Sequence, residues 1–376
     1  MIDLESTIRT SSTRETLARI APLAWKQFGI TRVANITGLD NIGIPVYVSI
    51  RPNSKSLSVS QGKGVSDDLA KISAMMESIE TWHAENIDAN KIILTDSHQN
   101  LKKDHPVVDP NLFITNDSDL TDTILDWLEV TELFSGQKAY LPQKLYSLDM
   151  TKLDEISQQF SPSSNGLASG NNYEEALCHS LCELIERDAV VRWMHLSESE
   201  QDQQLVDPNS ITDPVIKKLI EKISAAKLNL YIWNIENHLG VPAYYCVITD
   251  HHKQPFTLFT GSGAHYTDKV ALIRAITEAA QARLTYISGS RDDVFPDYYQ
   301  NFDPSEVVVE LQTSKATAKY NPKDPAPFSS FAEINTQLLE KLSSQNISNI
   351  YVFNHTRPEL DIAVVHALSP DLLSEK

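Results

Sequence analysis

Three segments of this 376-residue chain carry narrow stripes of acids, amides or arginine on helices that are otherwise apolar almost all the way round. In the first, over residues 66–83, Ser73, Glu77 and Glu80 are spaced i, i+4, i+7, and at about 100° per residue they share one face. The second carries Glu175, Glu183 and Glu186 with His179 between them, all within an arc of roughly 80°. The third places Arg274, Glu278 and Gln281 on one line and Arg283 on the opposite side, so spacing alone selects Arg274 over Arg283. Clustered oxygen ligands without a Cys/His set select a hard cation, and Mg2+ is the usual one when phosphate completes the shell. Arg274 could then meet phosphate oxygens as a charge-assisted donor. The chemistry expected is that of a Mg-nucleotide site.

Most charged residues at helical spacing form a solvated face, and the neighbours decide otherwise here. Around Glu183 and Glu186 the helix presents Ala176, Cys182, Ile185, Ala189 and Val190, with Leu177, Leu181, Leu184 and Val191 behind. A helix apolar all round is buried, and buried carboxylates must be protonated, paired or metal-bound, since each would otherwise cost several kcal/mol. Arg187 is one nearby cation and does not balance three acids. Glu77 and Glu80 border Leu69, Ile72, Met76 and Ile79 on one side and small residues on the other, which fits a semi-buried wall.

The elements that must position these residues are marked by glycine. Only 12 of 376 residues are Gly, about half the usual share, and six of them, Gly62, Gly64, Gly166, Gly170, Gly261 and Gly263, precede the three helices. Glycine permits positive φ and close backbone approach, and a helix N-terminus offers unpaired N–H groups, so these starts are expected to suit phosphate. None matches the P-loop or G-x-G-x-x-G pattern. Residues 32–52 read as a hairpin or meander around Gly38 to Gly43, and residues 94–142 as loops and a sheet edge. Strand-like runs recur at 228–233, 243–249, 255–260, 349–354 and 362–367. The fold class expected is α+β, a mixed α/β arrangement with clustered sheets and central buried helices, not a doubly wound parallel sheet. Residues 301–331 read as a long surface excursion.

Net charge of −18 opposes binding to nucleic acid or an anionic membrane surface, and 22% charged residues fit a soluble globular chain of one or two domains. The first ten residues lack the regions of a signal peptide, and no apolar run approaches the roughly 20 residues that span a bilayer. A cytoplasmic location is expected. Cys178, Cys182 and Cys246 form no C-x-x-C pair and read as small buried hydrophobes. No H-E-x-x-H occurs among the eleven histidines, and His251-His252 falls in a polar turn. His179 reads either as a proton carrier or as a core histidine bonded to a glutamate. Trp82 and Trp193 read as core, and Lys63 as either a phosphate contact or an exposed loop residue.

These residues carry a resemblance. Gly62-Lys63-Gly64 is followed by Ser73-Ala74-Met75-Met76-Glu77-Ser78-Ile79-Glu80. Asn165-Gly166-Leu167-Ala168-Ser169-Gly170-Asn171 runs into Glu175 and Glu183-Leu184-Ile185-Glu186-Arg187-Asp188. Arg274-Ala275-Ile276-Thr277-Glu278-Ala279-Ala280-Gln281 completes the set. The chain resembles the YcaO family from about Leu57 onward, which implies an N-terminal region over 1–56 packed on a catalytic domain over 57–376. Gly29-Ile30-Thr31-Arg32-Val33-Ala34 and Thr37-Gly38-Leu39-Asp40 further resemble the branch encoded beside TfuA proteins. The resemblance implies an unusual ATP-binding fold in which Glu77, Glu80, Glu175, Glu183 and Glu186 hold Mg2+ on the triphosphate, with Glu183, Glu186 and Arg274 catalytic. Ser73, Asn171 and Arg274 would contact ATP itself, and Arg187, Glu278 and Gln281 would line the same site. Arg9 and Thr16, read as seven apart on a short helix, stand where the family places residues that close over the nucleotide.

The family activates a peptide backbone amide: a nucleophile adds to the carbonyl, ATP phosphorylates the oxygen, and phosphate leaves. External sulfide gives a thioamide, the reaction associated with a TfuA-like partner; a neighbouring Cys, Ser or Thr gives an azoline. Azoline-forming members often end in a proline-rich tail, whereas this chain ends Leu372-Leu373-Ser374-Glu375-Lys376. Family members are commonly homodimers. The alternative from another class is a non-catalytic peptide-recognition scaffold, against which the intact acids count.

Overall fold

The computed structural model describes residues 1–374 apart from 115, 251–257, 296–306, 308, 309, 312 and 324. Its contacts divide the chain into two compact units. The first comprises Met1–Pro52, Leu57–Ser78 and Asp188–Ser330; the second comprises Asn53–Ser56, Ile79–Arg187 and Phe331–Lys376.

Two antiparallel three-stranded sheets lie in the first unit. One orders Arg32–Asn35, Val46–Ile50 and Val59–Lys63; the other orders Leu228–Asn234, Ala243–Asp250 and Leu258–Ala264. Arg32 pairs with Ile50 and Asn35 with Tyr47, the hairpin expected around Gly38 to Gly43. One apolar core joins Ile216 and Ile223 of the Pro214–Ala225 helix, Ile232, Cys246 and Ile248 of the second sheet, and Ala271, Ala275 and Ile276 of the Asp268–Ser288 helix.

A six-stranded sheet dominates the second unit. Its order is Ile92–Ser97, Ile124–Glu132, Tyr351–Asn354, Ala363–Leu368, Leu167–Gly170, with Lys138–Pro142 also pairing with Ile124–Glu132. The expectation of loops and a sheet edge over 94–142 holds for Ile92–Ser97, which ends the sheet, and is corrected for Ile124–Glu132, which is paired on both flanks with Trp127 and Leu128 fully buried. The strand alternates at its start, Ile124 exposed and Leu125 buried, whereas the adjacent Trp127 and Leu128 are both enclosed, so both faces of the sheet are covered there.

In each of the three larger sheets a terminal strand leads directly into a long helix. Val59–Lys63 precedes Asp67–Glu85, Leu167–Gly170 precedes Tyr173–Met194, and Leu258–Ala264 precedes Asp268–Ser288. The glycines belong mainly to these strands, which corrects their reading as helix starts. Of the six, only Gly166 has positive φ, 79°. A Cβ on Gly62 would overlap the backbone of Ala74, and one on Gly261 or Gly263 the backbone of Ala279 or Ala271. A Cβ on Gly170 would strike Ala176. Their absence of a side chain lets each helix lie against its own strand.

The helices are as buried as their sequences require. In Tyr173–Met194 the residues Ala176, Leu181, Ile185 and Ala189 are almost fully enclosed, as are Ala271, Ala275 and Ala279 in Asp268–Ser288. All three cysteines are buried, and none of them forms a disulfide. Trp193 packs in the core against Trp233 and Tyr245, while Trp82 is half-buried beneath the Arg357 guanidinium at 4.7 Å. His251 and His252 lie outside the described residues, as do the start of the expected 255–260 strand and much of the expected 301–331 excursion. No helix among the described residues is long and apolar enough to cross a membrane.

Candidate functional site

The terminal strand of an open sheet has outward N–H and C=O groups that no neighbouring strand can satisfy. Here helix side chains take that place, and they are the side chains of the stripes.

In the first unit the N–H of Gln61 hydrogen-bonds the Glu77 carboxyl. The carbonyl of Gln61 accepts from Gln281 Nε2 at 3.3 Å, and its side-chain Oε1 accepts from the Thr285 hydroxyl. On the other terminal strand Ser262 N–H donates to Glu278 Oε1 at 3.4 Å. Lys63 Nζ stands 2.5 Å from Glu278 Oε2. Glu77 is half-buried, and loss of hydration raises its carboxyl above the ordinary range, against the pull of Arg291 and Lys63; Glu278 adds to the rise. Such an acid gains from a further cation.

Arg274 and Arg9 are both near enough for their charges to act on the buried His265. Burial, reinforced by these two positive charges, lowers its imidazole to about 3. His265 Nε2 has no hydrogen-bond partner among the described residues. Arg9 thus joins the neighbourhood of Arg274, although not from a helix: it ends the strand Ile8–Arg9, and the helix begins only at Thr13, capped by Ser12 and Glu15. Thr16 is buried on that helix, and Ser73 half-buried on Asp67–Glu85. Arg283 faces away as its spacing required. Its Nε bonds Asp40 Oδ2 at 2.9 Å, and its guanidinium lies 5.2 Å over the Phe259 ring.

In the second unit the same device recurs. Ser169 donates both its N–H, at 2.8 Å, and its hydroxyl, at 2.5 Å, to Glu80 Oε1. Its carbonyl lies 3.2 Å from His179 Nδ1, and the His179 ring meets Phe331 edge-on at 6.4 Å. His179 is therefore tied to the backbone of the strand. Asn171 Nδ2 donates to both oxygens of Glu175, at 3.0 and 3.2 Å, and Asn172 Oδ1 accepts the Glu175 N–H. Glu175 and Glu186 are almost wholly enclosed, at 1% and 2% exposure, whereas Glu183 keeps some solvent and pairs with Arg187 at 3.7 Å.

Within the first unit the structure gathers Glu77, Glu278, Gln281 and Lys63, and places the charges of Arg274 and Arg9 within range of His265. Within the second it gathers Glu80 with His179, Asn171 with Glu175, and Glu183 with Arg187. Sequence reasoning missed Gln61, Ser169 and Ser262, which hold the acids. A signal was present: each immediately precedes one of the packing glycines, Gly62, Gly170 and Gly263.

Among the described residues no three His, Cys, Asp or Glu side chains converge closely enough to hold a metal ion by themselves. That fits Mg2+, which dehydrates reluctantly and is held by one or two carboxylates plus phosphate oxygens and water. Within each unit the carboxylates, Glu77 in the first and Glu80, Glu175, Glu183 and Glu186 in the second, are oxygen donors of the kind this ion takes.

Comparison with known proteins agrees. Residues 61–373 match the family model described as YcaO cyclodehydratase, ATP- and Mg2+-binding. An uncharacterized protein in the tfuA 3′ region of Rhizobium leguminosarum bv. trifolii is 34% identical over 375 residues, covering 97% of this chain and 88% of that protein. The YcaO protein of Methanopyrus kandleri bound with AMPPCP and Mg2+ superposes with a TM-score of 0.74 at 18% identity, covering 99% of this chain and 94% of that one. A heterocyclase in complex with substrate and cofactor reaches a TM-score of 0.78 at 20% identity over 97% of this chain, which spans about half of that longer protein, 53%.

Proposed function

The chain belongs to the YcaO family, and from that premise we propose that it is an enzyme that uses ATP and Mg2+ to convert a peptide backbone amide into a thioamide, with external sulfide and a TfuA-like protein as partners. The observation that carries the ATP-dependent part is the recurrent fastening of Glu77, Glu80 and Glu278 to strand N–H groups. Carboxylates fixed in this way lose little freedom when a cation and phosphate arrive. The relative in the tfuA 3′ region supports the sulfide branch.

Bound ATP and Mg2+ would supply the phosphoryl group and neutralise charge during its transfer. The protein's part is positioning. Glu77, Glu80, Glu175, Glu183 and Glu186 would hold the metal, and Arg274 would donate to phosphate oxygens, with Arg9, Thr16, Ser73, Asn171, Arg187 and Gln281 lining the nucleotide. Hydrosulfide adds to the amide carbon, the resulting oxyanion takes the phosphoryl group, and phosphate leaves with the oxygen. The balance is amide plus hydrosulfide plus ATP giving thioamide, ADP and phosphate. We place the reaction in the cytoplasm and in a homodimer.

Azoline formation is the second reading, favoured by the cyclodehydratase description of the family and the likeness to a heterocyclase. Mass spectrometry of the product peptide separates the two. Replacing oxygen by sulfur adds about 16 Da and cyclodehydration removes about 18 Da, as the exchanged atoms of the phosphoryl-activated route require. Gain of sulfur with Mg-ATP, sulfide and the TfuA-like protein is the expected result. Loss of water would reject thioamidation, and an unmodified peptide would leave the chain a recognition scaffold.

A further inference from the structure

The Leu167–Gly170 strand ends the six-stranded sheet, paired with Ala363–Leu368 on one flank only, where Ser169 stands opposite Val364. On its other flank the backbone N–H of Ser169 donates to Glu80 and its carbonyl meets His179. The hydroxyl of the same residue adds a second bond to the same oxygen, Glu80 Oε1. One small residue therefore orients a carboxylate through two donors. Its own backbone is held by the sheet register and by an imidazole from the Tyr173–Met194 helix.

Gln61 and Ser262 each give their acids a backbone N–H, which no ordinary substitution removes. Ser169 adds a side-chain donor to its backbone N–H, and that donor can be deleted without touching the strand. Two donors on Oε1 also restrain the rotation of the Glu80 carboxylate plane. A ligand so restrained meets a metal with less loss of side-chain freedom than one on a flexible stem.

We propose that Ser169 is a positioning residue for Mg2+, acting through Glu80, with His179 holding the Ser169 carbonyl on the same outward flank. The inference rests on the proposed nucleotide function and adds a residue to it. Removing the hydroxyl takes away one of the two donors that Ser169 gives Glu80 and widens its range of orientations, so the loss should appear in metal affinity first.

The test titrates Mg2+ into the full chain premixed with AMPPCP, followed by calorimetry, for the wild type, Ser169→Ala and Ser169→Thr. Ser169→Ala is expected to raise the apparent dissociation constant for Mg2+ about tenfold, the lower end of what partners of metal ligands contribute. Saturating Mg2+ should restore full nucleotide binding, and Ser169→Thr, which keeps the hydroxyl, should bind more tightly than Ser169→Ala. Wild-type affinity in Ser169→Ala overturns the inference and leaves the function standing. So does a loss in Ser169→Ala that saturating Mg2+ fails to recover, since a packing defect does not titrate with metal. Absence of Mg-AMPPCP binding in the wild type overturns the proposed function and this inference with it.

Discussion

Lys63 Nζ lies 2.5 Å from Glu278 Oε2, joining the end of one terminal strand to the helix that follows another, 215 residues later. Both side chains are largely shielded, at 20% and 26% exposure. Lys63 also tempers the half-buried Glu77. The lysine that a sequence reading left between phosphate contact and solvent thus serves as a built-in counter-ion for two acids of the site.

Lys63→Met should consequently destabilise the chain most when no metal is present. Loss of one charged hydrogen bond in a shielded position costs about 1–2 kcal/mol. Scanning calorimetry should show a lower melting temperature for Lys63→Met in chelator and a smaller deficit with Mg-ATP, which binds only the folded state. An equal deficit in both conditions would show that Lys63 has no bearing on the metal site.

The two arginines of the third helix should separate by observable. Arg274→Ala is expected to weaken AMPPCP binding with little change in melting temperature, because Arg274 faces the stripe of Glu278 and Gln281. Arg283→Ala breaks the shielded bond to Asp40 and the stacking on Phe259, so it should lower stability by about 1–3 kcal/mol and leave nucleotide affinity nearly intact. Equal losses of affinity in two folded variants would refute the assignment.

Four buried histidines predict acid sensitivity. Burial lowers His83 and His366 to about 4 and His265 to about 3, and depresses His355 well below the ordinary value. His355 and His366 lie 6.0 Å apart, so charging one opposes charging the other. The unfolded chain takes up protons near the ordinary value of 6.5, whereas the folded chain does not until pH nears 4. Their contribution is therefore complete above pH 6.5 and falls as pH drops from there towards 4, by up to about 1.4 kcal/mol per pH unit for each histidine. The raised Glu77 carboxyl works in the opposite sense. Urea midpoints measured from pH 7.5 to 5 should decline, and His366→Gln should flatten the slope. A flat wild-type profile would contradict the burial of neutral imidazoles.

Glycine substitutions should divide by what a Cβ would meet. Gly62→Ala and Gly263→Ala drive a methyl into helix backbone and should cost at least about 2 kcal/mol, with loss of Mg-ATP binding because the helix is pushed off its strand. Gly38 has ordinary φ and open space around the added carbon, so Gly38→Ala should change stability by no more than about 0.5 kcal/mol. Chemical denaturation of the three variants checks the contrast.

What could be read directly from the residues was local. Helical periodicity put Ser73, Glu77 and Glu80 on one face, drew Glu175, His179, Glu183 and Glu186 into one arc, and turned Arg283 away from Arg274, because side-chain direction within a helix depends only on position. The apolar surroundings announced burial, the choice of oxygen donors announced a hard cation, and the motif strings announced the family. The tertiary structure alone decided what those acids lean on. Backbone N–H groups carry no residue-specific mark, so although a glycine follows each of Gln61, Ser169 and Ser262, the letters do not say that each sits on the last strand of a sheet with an outward donor to spare. That follows from strand order and register, which pair Ser169 with Val364 and leave its other flank to Glu80 and His179. The same holds for the glycines: their positions suggested helix starts suited to phosphate, whereas packing between strand and helix over many residues is what excludes a Cβ at Gly62, Gly261 and Gly263. Arg9 completes the contrast, since a two-residue strand paired with Ile2–Asp3 has too little sequence to show a period, and only the folded chain brings its charge, like that of Arg274, within range of His265.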